Sequence, residues 1–430
     1  LKFREFHPNV RIRFMMNFLS SLAFNLVIPF MTVYLAQKMN PALAGLGVGA
    51  GVVIGLVAGL YSGYIADRIG RKKVMLMAEG VWLAAFALMA CINSPWADQP
   101  YVTLALVAVV SACWSLYEPA ASAMLLDVTT PESRKFMYSF FYWCNNLAIA
   151  LGGAVGALFF GEYLFVLLLV LTASGLIQFI VTYFFIEETK VGNKEGFDAG
   201  EARKQTAAAA AAGGLRSILV HYREVWKDKL FVLYITASML IVSMEFHLTG
   251  YVGVRLAGEM SNTTLLNGFG QHWTVDGYQM LGMLRTENTV LVVLLSFLTP
   301  VIMKRFKDRN VLYIGFLIYI TGFTYIAFGN SPLALLIFML LATLGEVMYV
   351  PVKQAYMANI IPDHARSSYM FVNGLTYKGA TLISALGVSA GGWLPPSIMA
   401  AAIGCIGFGG LLLFRFIMPA LERRSAQTPA

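Results

Sequence analysis

Apolar runs of about twenty residues recur along this chain and leave little sequence between them. Such a run is the length that crosses the ~30 Å hydrocarbon core of a bilayer as an α-helix. Twelve can be placed: near 13–37, 42–65, 73–92, 101–126, 137–160 and 163–186, then near 229–250, 288–303, 310–329, 332–357, 367–390 and 396–418. Inside lipid each backbone N–H and C=O must be paired within the protein, and runs of this length pair theirs by coiling into helices. Only 13% of the 430 residues are charged, against about a quarter in a soluble domain. The expected fold class is an all-α polytopic membrane protein with twelve transmembrane helices.

The formal net charge of +8 raises the question of a nucleic-acid partner, and the placement of the cations answers it. Of 31 basic residues, 26 lie before the first span, in the 2–3 loop, at Arg134–Lys135, in the central segment, in Lys304–Arg309, at Arg366 or at the end of the last span. An even number of spans puts all of these on one side, which the positive-inside rule makes cytoplasmic. Both termini are therefore expected in the cytoplasm, and no nucleic acid is implied. No cleavable leader is read before the first span. The four cysteines (Cys91, Cys113, Cys144, Cys405) show no metal or redox spacing and read as small packing residues.

The spans fall into two sets of six. Residues 1–186 form an N-terminal bundle and 229–430 a C-terminal one, with a polar segment at 187–228 between them. In that segment Leu215, Ile218, Leu219, Tyr222, Val225 and Trp226 recur at helical spacing, as in an amphipathic helix lying on membrane lipids or packing on the soluble side. The stretch near 251–287 reads as an external loop. A shift of 232 residues sets Tyr117 on Tyr349, Pro119 on Pro351, Ala123 on Ala355, Asp127 on Asn359 and Arg134 on Arg366 without a gap. Two related halves are an architecture suited to alternating access.

Between the second and third spans the chain reads Gly63-Tyr64-Ile65-Ala66-Asp67-Arg68-Ile69-Gly70-Arg71-Lys72-Lys73. Upstream, Gly47, Gly51, Gly55, Gly59 and Gly63 form a stripe on one helix face, which permits close helix packing in lipid. Lipid-facing anchors explain the cations of the loop but not Asp67. The loop resembles the signature of the major facilitator superfamily of secondary transporters, with Gly63, Ala66, Asp67, Arg68, Gly70, Arg71 and Lys72 matching. Within it the chain is similar to the drug:proton antiporter branch, at Ala123–Asp127, Arg134-Lys135, Tyr142-Trp143, Asn146-Leu147, Leu151-Gly152 and Gly345-Glu346 with Pro351. The resemblance implies two six-helix bundles and a cytoplasmic latch of Gly63, Asp67, Arg68, Gly70, Arg71, Asp127 and Arg134. It also departs from the pattern: Phe141 stands where a relative has an acid, span 4 lacks an expected Arg, and the glycine motif of span 5 lacks its proline.

Chemistry is sought among ionisable groups within the spans, because they are costly there. Glu346 and Lys378 fall near mid-membrane, Glu245 and His247 in the outer part of span 7, and Glu118 in the inner half of span 4. Lys353 reads as reaching to the inner surface. The resemblance implies that spans 1, 4, 7 and 10 line a central cavity, with Trp114 the repeat partner of Glu346 and Tyr117 and Tyr349 close by. An acid among aromatic rings suits a lipophilic cation. An acid withdrawn from water also favours its neutral form, so one carboxyl can exchange a proton for that cation. The other reading of Glu346 and Lys378 is a structural pair.

The expected function is a proton-driven exporter of amphipathic, cationic compounds in a bacterial cytoplasmic membrane. It needs no cofactor or bound metal and works as a monomer with small-molecule substrate, protons and lipids as partners. The rivals are a dedicated carrier of a polar metabolite or metallophore, and a lipid flippase. No paired nucleophile and base marks an enzyme.

Overall fold

The computed structural model describes residues 6–129, 131–189, 223–268, 271–296, 306–362 and 366–427. The side chains of some helical residues, among them Gly63, Asp67, Arg68 and Arg134, lie outside that description. The first helices are α1 (Pro8–Lys38), α2 (Pro41–Ile69), α3 (Arg71–Ile92), α4 (Pro100–Asp127) and α5 (Pro131–Phe185). The others are α6 (Lys229–Glu259), α7 (Gly277–Ser296), α8 (Asp308–Ile326), α9 (Pro332–Ile360), α10 (Arg366–Gly391) and α11 (Pro396–Gln427). Among the described residues, eight segments are long and apolar enough to cross a membrane. One of them, Trp143–Phe185, has 43 residues and a break at Tyr163, so it makes two crossings. With the more polar α7, α8 and α10 the crossings come to twelve.

Contacts divide the chain into two compact units, Leu1–Met31 with Gly47–His221, and Thr32–Leu46 with Tyr222–Ala430. The outer end of α1 and the start of α2 thus pack with the second unit, where Ser389 Oγ donates to the Ala42 carbonyl at 2.9 Å. In the first unit the glycine stripe of α2 meets α4: Gly51 faces Ala108, and Gly55 faces Ser111 and Ser115. Large side chains there would hold the two helices apart. Residues 187–189 belong to this unit and are not free linker. Glu187 and Asn9 exchange two hydrogen bonds, and Thr189 Oγ1 donates to Asp127 Oδ2 at 3.0 Å.

Two expectations need correction, and a third falls mostly outside the described residues. Residues 251–287 are not one external loop: α6 runs on to Glu259, an antiparallel hairpin pairs Thr263–Gly268 with Gln271–Val275, and α7 starts at Gly277. The run Arg285-Thr286-Glu287-Asn288 hid this helix from a hydropathy reading. Among the described residues the fold is therefore helical except for one small hairpin. Arg13 does not precede the first span but lies inside α1, 6% exposed. Of the amphipathic segment, Leu215, Ile218, Leu219 and Tyr222 lie outside the described residues. Val225 is buried and Trp226 exposed in the short helical turn Arg223–Lys227.

Candidate functional site

In the second unit, α6, α7, α9 and α10 bring their ionisable residues to one place. Glu346 stands mid-way along the 29-residue α9. Its neighbour Gly345 lets α9 press on α8, where a Cβ would meet the Tyr319 backbone nitrogen at 2.6 Å and also the Gly315 carbonyl. Asn288 Nδ2 on α7 donates to Glu346 Oε2 at 2.8 Å and to Thr343 Oγ1 at 3.1 Å. Glu245 lies one turn before the place where α6 loosens into a π turn at Leu248–Val252, with Gly250 out of helical geometry. Such turns re-aim side chains inside a helix.

Two cations act on these acids. Glu245 feels Lys353 and Arg285, whereas Glu346 feels Lys353 and the like charge of Glu245. Lys353 does not reach the inner surface: its Nζ lies over the Tyr349 ring, 5.6 Å from the centroid. Tyr349 is 2% exposed and packs edge-on against Tyr319 at 5.1 Å. Tyr377 on α10, next to half-buried Lys378, is 54% exposed and faces both acids. Glu287 Oε2 is buried with no hydrogen-bond donor. The cluster therefore offers two acids, fixed cations and one accessible aromatic ring.

Sequence reading named Glu245, Glu346, Tyr349 and Lys378 but not Arg285, Glu287, Asn288 and Tyr377; Lys378 neighbours the cluster through Tyr377, with no described bond to Glu346. Arg285 and Glu287 fall in the stretch read as a loop and Asn288 at the very start of the span read at 288–303, and an aromatic beside a lysine carries no signal of its own. His247 is 2% exposed, and its Nδ1 stands 2.6 Å from the Ser243 carbonyl, so it is a buried, locally bonded histidine.

In the first unit, Trp114 stacks on Trp82 at 5.9 Å and, with Ser20, Phe24, Phe86 and Gln178, helps line a narrow, partly open pocket. Tyr117 is buried. Glu118 is exposed and accepts from Ser122 Oγ at 3.1 Å. At the motif loop, Arg71 pairs with Asp127 and donates to the Ala123 carbonyl at 3.0 Å. Glu188, which the sequence reading passed over, accepts the Arg71 and Lys72 backbone N–H groups, each at 3.1 Å. Gly70 just before them has φ 106°, a left-handed value that favours glycine, and a Cβ there would strike Glu188. Asp67, Arg68 and Arg134, the other charged latch residues, have side chains outside the described set, as has Gly63.

Helices that cross a membrane twelve times, with acids, cations and aromatic rings gathered about midway along the helices of one unit, are the build of a carrier of small solutes. Residues 13–271 and 250–430 match the Major Facilitator Superfamily, and the chain belongs to it. A "Na(+), Li(+), K(+)/H(+) antiporter" of Planococcus maritimus is 27% identical over 91% of this chain and 92% of its own. The "Multidrug resistance protein MdtH" of Yersinia enterocolitica is 23% identical over 88% and 84%. Among solved structures, the peptide transporter POT in complex with sulfate superposes with TM-score 0.70 at 16% identity, covering 98% of this chain and 96% of that one. These relatives are transporters, and the chain is a membrane transporter rather than an enzyme.

Proposed function

We propose that this transporter exchanges protons for amphipathic cations and exports them by alternating access across a bacterial cytoplasmic membrane, with both termini inside. It acts as a monomer, driven by the proton gradient without a cofactor. The observation that carries the reading is the pair Glu245 and Glu346, facing one lysine beside the exposed Tyr377 ring. Glu245 has two cations for company, while Glu346 has one and an asparagine. Glu346 is thus the less neutralised acid and the one able to trade a proton for a substrate cation. The ring supplies a face for cation–π attraction. The names of the relatives, a multidrug resistance protein and a cation/proton antiporter, fit this class.

A second reading is favoured by the 27% identical relative: an inorganic monovalent cation takes the place of the organic one. Proteoliposomes loaded with acid separate the two. Lipophilic cations added outside should release protons from the wild type and not from Glu346→Gln. Release on adding Na⁺ or K⁺ alone selects the second reading. No release from an intact reconstituted wild type overturns proton antiport and turns the search to polar metabolites, metallophores and lipids, starting at Lys378.

A further inference from the structure

The first unit holds a second buried acid that the proposed exchange does not use. Glu79, near the middle of α3, is 0% exposed. Its Oε1 accepts from Gln178 Nε2 at 2.9 Å and from Thr182 Oγ1 at 3.0 Å, both on α5. Its Oε2 is buried and has no hydrogen-bond donor. The Tyr117 hydroxyl of α4 lies against the carboxyl and accepts from Gln178 Nε2 at 2.9 Å and from Arg13 of α1. Arg13 is buried, and its guanidinium carbon lies 5.1 Å from the centre of the Tyr117 ring.

A carboxylate kept for structure in this chain looks different. Glu188 uses each oxygen to accept a backbone N–H. An ionised carboxylate with one oxygen unserved, shut away from water, is a costly arrangement unless a proton can take up the charge. The repeat adds an independent argument. The 232-residue shift sets Tyr117 on Tyr349, and both are buried tyrosines with a cation over the ring and a carboxyl close by. Each half therefore carries its own set of acid, tyrosine and cation.

We propose that Glu79 is a second proton-binding site, built into the first unit. The proton adds at Oε2, while Oε1 keeps its bonds from Gln178 and Thr182. No other atom changes partner. The charged and titratable groups facing Glu79 are Arg13 from α1 and Tyr117 from α4, with Glu118 acting on Tyr117 from the same helix. From α5 it meets only the neutral Gln178 and Thr182. The site takes a proton and not a metal cation. Arg13 already holds a positive charge beside it, and the Tyr117 oxygen is occupied by two donors. Loss of charge on Glu79 weakens its attraction to Arg13, which is bonded through Tyr117, so the state of the acid bears on how α1 is held against α3 and α4.

The test needs no substrate, so it stands apart from the exchange proposed at Glu346. Infrared difference spectra between acid and alkaline pH report the C=O stretch of carboxyls that gain a proton. The wild type should show a band that Glu79→Gln removes and Glu346→Gln leaves in place. Gln178→Leu strips one donor from Oε1 and should move the band or its midpoint, which serves as a second reading if Glu79→Gln folds poorly. The proposal is overturned if the Glu79→Gln spectrum equals that of the wild type, or if the Gln178→Leu spectrum does. Proton release that survives Glu346→Gln removes the transport reading and leaves this one standing.

Discussion

At the scale of single residues, pairing decides what each charge does. Lys353 serves Glu245 and Glu346 at once, so removing it leaves two half-buried acids facing each other. Breaking a buried pair from one side costs about 3–5 kcal/mol, and the partial exposure here lowers that to roughly 1–3 kcal/mol. Lys353→Met should therefore depress the thermal midpoint, and adding Glu346→Gln should restore part of the loss. If the two effects simply add, no coupling exists between them. Asn288 makes a contribution of similar size through a hydrogen bond. Its bond to Glu346 has a charged acceptor, worth about 1.5–3 kcal/mol, so Asn288→Leu should impair proton exchange while its expression level stays normal. Unaltered exchange would show that the bond is incidental to the coupling acid.

Among elements, contact surfaces follow from the smallest residues. Gly345 stands where α8 and α9 touch backbone to backbone, whereas Gly374 on α10 has open space around it. Gly345→Val should overpack the contact and cost at least about 1–3 kcal/mol. Gly374→Ala should be neutral or stabilise by up to about 1 kcal/mol. Thermal midpoints of the two variants check the contrast, and equal shifts would refute it. The start of α3 depends on Glu188, which occupies two backbone donors that have no partner inside the helix. Glu188→Ala should cost about 1 kcal/mol, as loss of a helix cap does. Hydrogen exchange should quicken in the first turn of α3 and not at its far end; uniform exchange along α3 would count against the cap.

For the whole molecule the question is how local charge biases alternating access. Asp127 holds Arg71 at the charged end of the first unit. If that pair belongs to the latch that the motif implies, Asp127→Asn should shift the balance of states, and about 1.4 kcal/mol alters a population ratio tenfold. Spin labels on the cytoplasmic ends of the two halves should report a larger inward-open fraction. Distances that match the wild type at every pH would mean the pair serves only the fold of its own unit.

Hydropathy alone determined the helical class, because lipid leaves the backbone no other partners over such runs. It also placed most span limits to within a few residues. The largest error, at α7, has a plain physical cause. The start of α7 was placed too late because Arg285 and Glu287 look like loop residues until other helices shield them. Glu346 and Glu245 were legible as costly charges inside a span, Arg71 from the motif, and Asp127 from the wider family resemblance. Tertiary structure alone decided who faces whom. Lys353 turned to the acids instead of the surface, Arg13 entered the first bundle, and Glu79 proved wholly buried beside Tyr117. A helix of known sequence still has its rotation and depth set by its neighbours, and that rotation fixes the partners of every buried charge.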